Sequence, residues 1–221
     1  MAAEDDGKAF VLGMTRVGNR AGGLPGPAFD GNLRRMSVLH APTYRWTVEE
    51  YEELGRAGIF DESDRVELLN GEIVIMSPIG YRHATAVNLL NRFFVKNERQ
   101  QYVVTPGNPF ILDEHSEPQP DLCLAEPVIL TQGHHPGPDQ ILLVIEVSDS
   151  SVAYDRRDKG PAYARNGVRE YWLLNLASNV LEVHREPSAE GYREVRSLGR
   201  EETIAPLAFP DVILRVGDFL P

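Results

Sequence analysis

Asp121, Glu146 and Lys159 are the residues whose types and spacing could do chemistry. Asp121 enters the stretch Gln119-Pro120-Asp121-Leu122-Cys123-Leu124, and Glu146 closes the apolar run Ile141-Leu142-Leu143-Val144-Ile145. Lys159 follows Glu146 by thirteen residues. Two hard oxygen donors and an ammonium make a place for a divalent cation and a phosphate group. The chemistry that such a set suggests is cleavage of a phosphodiester bond.

Each of these residues also has a plainer role. Pro120 cannot donate to a ladder and belongs at the start of a strand. Asp121 therefore sits at a strand entrance, where it either caps a turn or faces a cleft. Glu146 would be costly to bury without a partner. It either points to water, pairs with Arg156 or Arg157, or shares a metal ion with Asp121; the shared ion accounts best for an acid ending so apolar a strand. Lys159 lies in Tyr154-Asp155-Arg156-Arg157-Asp158-Lys159, a run that otherwise reads as the solvated first turns of a helix. Helical spacing puts it on the face of Asp155 and Tyr163, with Asp155 expected to hold the ammonium. Aimed at a cleft, Lys159 would orient an attacking water and offset phosphate charge. Glu67 alternates with Val66 and Leu68 and so faces away from them in a strand. It is either an exposed strand residue or a fourth member of the site, a metal ligand carried by a hairpin beside the sheet. His83 opens a long helix and either caps it, contacts phosphate or is simply exposed.

Other chemistries lack their residues. There is no nucleophile elbow, no P-loop and no zinc-protease helix motif. Ser148, Ser150 and Ser151 have no histidine placed near them in sequence. His134-His135 lies in a Gly/Pro loop with no spacing to a third ligand, which argues against zinc. Cys123 is the only cysteine, so there is neither a disulfide framework nor a cysteine zinc site, and it reads as a small hydrophobe packed in a strand. No apolar stretch nears the roughly 20 residues of a membrane span, and no signal-peptide pattern opens the chain. A cytoplasmic protein is expected. The net charge of −11 argues against a protein that merely coats nucleic acid. It argues less against a nuclease, whose metal site itself needs carboxylates.

The elements that must position these residues can be read from pattern. Residues 1–38, with Gly18 to Pro27 rich in Gly and Pro, read as a disordered or loosely packed tail. Residues 1–35 carry five basic and four acidic side chains, so the acidic excess belongs to the remainder. Met36 is an alternative start, which mass spectrometry of the native N-terminus would locate. The domain spans 39–221. Thr47-Val48-Glu49-Glu50 is a capping box before a helix over 49–57. Asn70-Gly71 between two strand-like runs marks a hairpin over 65–76. Apolar spacing predicts a helix over 83–98. Short strands are expected at 102–105, 110–112 and 121–124, then a central strand at 141–147 apolar enough to be covered on both faces. A helix over 156–165 ends at Asn166-Gly167. Strands follow at 170–176, 180–185 and 192–197. This order predicts an α/β (α+β) domain with a mixed central sheet flanked by helices, and an N-terminal helix and hairpin.

The ordered set of motifs resembles a known family. Arg65-Val66-Glu67-Leu68-Leu69-Asn70-Gly71-Glu72, Ser77-Pro78, His83, Gln119-Pro120-Asp121-Leu122, Val144-Ile145-Glu146-Val147-Ser148 and Asp155…Lys159…Tyr163 through Trp172 are together similar to the Uma2 family. That family of restriction-endonuclease-like proteins was formerly a domain of unknown function. The likeness runs from about Arg45 to Pro221. It implies the restriction-endonuclease-like fold of the PD-(D/E)XK superfamily and Mg²⁺-dependent cleavage of DNA, with Mn²⁺ as a substitute. Asp121 and Glu146 match the two acidic positions. Resemblance makes the Val147 carbonyl a further metal ligand and Glu67 an acid that binds metal from the N-terminal side. The lysine usual two residues after the second acid is Ser148 here, and the resemblance implies that Lys159 replaces it from the helix. A homodimer is expected because two DNA strands need two sites. Two other readings stay open: a catalytically silent module that binds nucleic acid or protein, and a phosphohydrolase of small substrates.

Overall fold

The structure, a computed structural model, describes residues 43–60, 63–98 and 100–221. The tail expected over 1–38 lies outside the described residues.

Helix α1 (Val48–Arg56) starts as its capping box predicts: Thr47 accepts from the Glu50 amide and the Glu50 side chain accepts from the Thr47 amide. Strands β1 (Val66–Leu69) and β2 (Glu72–Ile75) form an antiparallel hairpin, with Asn70 and Gly71 at φ 53° and 78°. Gly71 also meets a close approach, since a Cβ there would lie 2.6 Å from the Arg45 Cβ. Its carbonyl accepts from the Trp46 amide and its amide donates to His115 O at 2.7 Å. Helix α2 (Tyr81–Asn97) begins two residues before the expected His83. Tyr81 and Arg82 are not part of the apolar stripe, so periodicity misses them.

A six-stranded sheet forms the centre. Its strands are β3 (Val103–Thr105), β4 (Leu122–Ala125), β5 (Ile141–Ser148), β6 (Glu170–Asn175), β7 (Val180–Ser188) and β8 (Gly191–Leu198), in that spatial order. Only β5 and β6 pair in parallel, with Glu146 opposite Leu173. A parallel pair needs a crossover. Helix α3 supplies it in three pieces: α-helical Val152–Tyr154, π-helical Asp155–Lys159 and α-helical Gly160–Arg165. The predicted helix over 156–165 is therefore longer and wound differently. Pro161 offers a physical reason, because it has no amide for the Arg157 carbonyl and its ring crowds that group.

Both faces of the sheet are covered. Leu122, Leu143, Ile145 and Trp172 pack against Leu90 and Phe94 of α2. Cys123, Val144, Tyr171 and Leu173 pack against Ala162 and Tyr163 of α3. Alternate residues of β5 thus meet different layers, which is why its sequence is almost continuously apolar. Cys123 is buried, as a packed small hydrophobe should be.

The strand expected at 110–112 is not one. Phe110 and Leu112 are buried, but their amides donate to Pro118 O and Ser116 O, so the segment folds back on its own loop. Burial of alternate residues imitated a strand without sheet pairing. The C-terminal pair β9 (Thr203–Ile204) and β10 (Leu214–Arg215) was not expected; two-residue strands carry no periodic signal.

Candidate active site

Asp121 and Glu146 sit at neighbouring ends of β4 and β5 and point to the α3 side of the sheet. Their placement follows from alternation: Cys123 and Val144, two residues from each, belong to that same layer. The hairpin brings Glu67 to them, and the π-helical turn brings Lys159. A cavity of about 360 Å³ is lined by Glu67, Asp121, Glu146, Val147, Asp155 and Lys159.

Lys159 is not a surface charge, being 3% exposed. Its Nζ lies 2.9 Å from Glu146 Oε1 and 3.0 Å from Glu67 Oε2. Burial works to lower its pKa, but Glu146, Glu67 and Asp155 outweigh burial and hold it well above the ordinary lysine value. The ammonium therefore stays charged. Asp155, expected to hold it, instead accepts from Ser151 Oγ at 2.8 Å and acts on the ammonium through its field.

Glu146 is 4% exposed. Burial pushes its carboxyl above the usual range, Lys159 pulls it back, and Asp121, Asp155 and Glu67 add to the rise. Its Oε1 also accepts from Tyr163 Oη at 2.8 Å. Its Oε2 accepts only a long bond, 3.4 Å, from the Asp121 amide. Arg156 and Arg157 do not pair with it; they bind Glu182 and Asp158.

Asp121 is held at both oxygens. Oδ1 is 2.8 Å from His83 Nε2, and Oδ2 accepts from the Val147 amide at 2.8 Å. Glu67 accepts from the Gln119 amide at 3.0 Å and from Tyr154 Oη at 3.2 Å besides Lys159. Ser148, where the resemblance expects a lysine, links its hydroxyl to Ser151 at 3.0 Å. His135 lies 3.7 Å from Glu117.

Sequence reasoning did not find the roles of Tyr154, Tyr163 and His83 as partners of the three acids. Tyr163 left a trace in its four-residue spacing from Lys159. Tyr154 left none, because its partner lies 87 residues away.

Donor chemistry tests whether a metal ion suits this place. The acids and the nearby backbone offer oxygen only. Among the described residues no three His, Cys, Asp or Glu side chains form a ready cage. Mg²⁺ uses one or two carboxylates and keeps water and substrate phosphate as its other ligands. The set at Asp121 and Glu146 fits that habit.

The structure resembles that of a protein from Anabaena variabilis ATCC 29413 described as "a putative nuclease belonging to DUF820". The TM-score is 0.63 at 12% identity, over 79% of this chain and 97% of that one. A weaker likeness is to the type IIG restriction endonuclease BpuSI, with TM-score 0.34 and 15% identity over 54% of this chain and 14% of that one. No curated protein matches. The mixed sheet flanked by helices, with acids at adjoining strand ends, defines a protein of the nuclease fold class. The Uma2 family model, described as "Putative restriction endonuclease", matches residues 48–217, and the chain belongs to that family.

Proposed function

We propose that the chain is a Mg²⁺-dependent endonuclease that hydrolyses phosphodiester bonds in DNA, with Mn²⁺ able to substitute. The observation that carries this reading is the meeting of Asp121, Glu146 and Lys159 on one cavity.

Asp121 and Glu146 would hold the ion, with the Val147 carbonyl as a further donor. Bound there, Mg²⁺ supplies Lewis acidity and lowers the pKa of a water molecule. Glu67 anchors the ammonium through Oε2, and its Oε1, which accepts from Tyr154, would be the atom that reaches the ion from the N-terminal side. Lys159 has three hydrogens, and Glu67 and Glu146 engage two. The third is available to a phosphate oxygen or to the attacking water, where a fixed positive charge stabilises the developing negative charge. Burial and the neighbouring Glu146 charge hold the Tyr163 hydroxyl far above its ordinary pKa, so it remains a neutral donor that orients Glu146.

The test is a Mg²⁺ and Mn²⁺ titration on supercoiled plasmid, with Glu146→Ala and EDTA as controls. Nicking should need the metal and should vanish in both controls. Cleavage that survives either one sinks the mechanism.

The second reading is a silent binding module on the same fold. Lys159 bridging Glu67 and Glu146 favours it, because an ammonium already neutralises those acids. It requires binding indifferent to metal and no cleavage of duplex, single strand or RNA.

A further inference from the structure

A second chamber of about 400 Å³ adjoins the first. Arg65, Met76, His83 and Asp121 line both, so the hydrogen-bonded pair His83–Asp121 is the wall between them. We propose that this second chamber receives an unpaired nucleobase of the substrate, so that the chain acts on single-stranded or locally opened nucleic acid. The proposal rests on the nuclease reading for the phosphate's position and adds the state of the strand.

The walls have the chemistry of a base rather than of a phosphate. Ile79, Ala84, Val87, Pro106 and Pro120 give apolar surface, and Asn88 and Gln119 give amides. Among the described residues no protein hydrogen bond engages either side-chain amide. An amide presents donor and acceptor together, as a base edge requires. Ala84 with Asn88, and His83 with Val87, are four residues apart on α2, so one helix face runs from the Asp121 partner into the chamber. A group bound there lies beside Asp121.

Charge opposes a duplex in the same place. Duplex affinity rests on Lys and Arg neutralising two strands of phosphates. Among the described residues lining the two chambers, the Lys and Arg are Arg65 and Lys159, against Glu67, Asp121, Glu146, Asp149 and Asp155. Lys159 is already paired with two of these acids. The exposed edge of the lining is apolar instead: Ile75 and Ile79 are 83% and 57% exposed. Apolar contact and stacking add affinity for bases that are not paired.

The experiment uses the full chain in EDTA and three probes of one sequence: an end-labelled oligodeoxynucleotide, its duplex and the matching oligoribonucleotide. Fluorescence anisotropy should show a single strand bound at least about tenfold tighter than the duplex. The better of the DNA and RNA single strands identifies the sugar. Ala84→Leu fills the chamber and should weaken single-strand binding about tenfold. Asn88→Ala, on an exposed position, should weaken it about threefold with unchanged circular dichroism. Duplex bound as tightly as single strand, or both variants binding like the parent, overturns the proposal. Tight single-strand binding without metal-dependent cleavage supports the chamber and sinks the nuclease reading. Duplex cleavage with no preference for single strands does the reverse.

Discussion

Lys159 shows how much a single buried charge can organise. It neutralises acids from two separate elements, and removing it would leave Glu67 and Glu146 facing each other without a counter-charge. Lys159→Met should lower stability by about 3–5 kcal/mol at neutral pH, the range for breaking a buried pair. Glu146, whose carboxyl burial already pushes up, would lose the charge that pulls it back and would ionise still less readily in the folded state. The added instability should therefore be smallest below the ordinary glutamate value of 4.5 and grow as pH rises. Denaturant melts at acid and alkaline pH would show it. Nuclease activity should fall about 100-fold or more at every pH. Glu117 gives a second, independent titration. Burial, with Glu52 adding, pushes its carboxyl up to about 7. A pKa raised on folding contributes stability that is full below about 4.5 and is lost as pH rises through about 7. Glu117→Gln should therefore match the parent at low pH and be the more stable protein at pH ~8. Denaturation midpoints that stay parallel across this window would refute the assignment.

At the scale of elements, the crossover helix is the part whose shape matters most. Its π-helical turn, Asp155–Lys159, ends against Gly160 and Pro161, and π-turns inside helices recur at functional sites. Pro161→Ala should restore a backbone donor and let the turn tighten, a backbone gain of up to about 3 kcal/mol. The tightening would rotate Lys159 away from Glu146 and weaken that buried pair, so activity should fall with no net rise in melting temperature. Equal activity in the two proteins would show that Pro161 does not set the turn. The capping box, the Asn70-Gly71 hairpin and the apolar β5 were legible because each depends on neighbours in sequence. The segment 110–112 was misread because two buried residues of an irregular loop alternate as a strand does. The π-turn was invisible because a helix-forming pattern does not report its winding. The acids themselves were legible, since an acid closing a buried strand is costly unless it has work to do. Their partners Tyr154, Tyr163 and His83 were not, because only packing brings them near.

For the molecule as a whole, charge decides how it can meet a substrate. The chain is strongly acidic, and the two chambers present few cations. Few phosphates can then be neutralised on binding. The slope of log affinity against log salt should be shallow, about −1 to −2 for a single strand, where each neutralised phosphate contributes about −0.7. A slope beyond about −4 would mean a basic surface elsewhere holds the nucleic acid. Among the described residues no helix is long and apolar enough to cross a membrane. A homodimer matters only if both strands of a duplex are cut. A site that takes an unpaired strand needs one copy, and turnover per chain should then be independent of protein concentration.

The hairpin β1–β2 pairs with itself and not with the central sheet. It joins the rest through the Leu68–Glu117 bridge, the Gly71 contacts, the apolar packing of Leu69 and Val74, and bonds from Gln119, Tyr51, Tyr154, Lys159 and Arg165. An attachment made mostly by side chains, with no strand ladder to the central sheet, makes it a unit able to open while the sheet stays folded. Each opening removes Glu67 from the ammonium and frees Lys159 to change partners. Glu146 and Lys159 belong to one local crossover, whereas Glu67 is contributed from far earlier in the chain. Assembly of the full charge set is then an equilibrium of its own. Amide hydrogen exchange should find the hairpin protected far less than β5 and β6, and a substrate that binds only the closed form should slow that exchange.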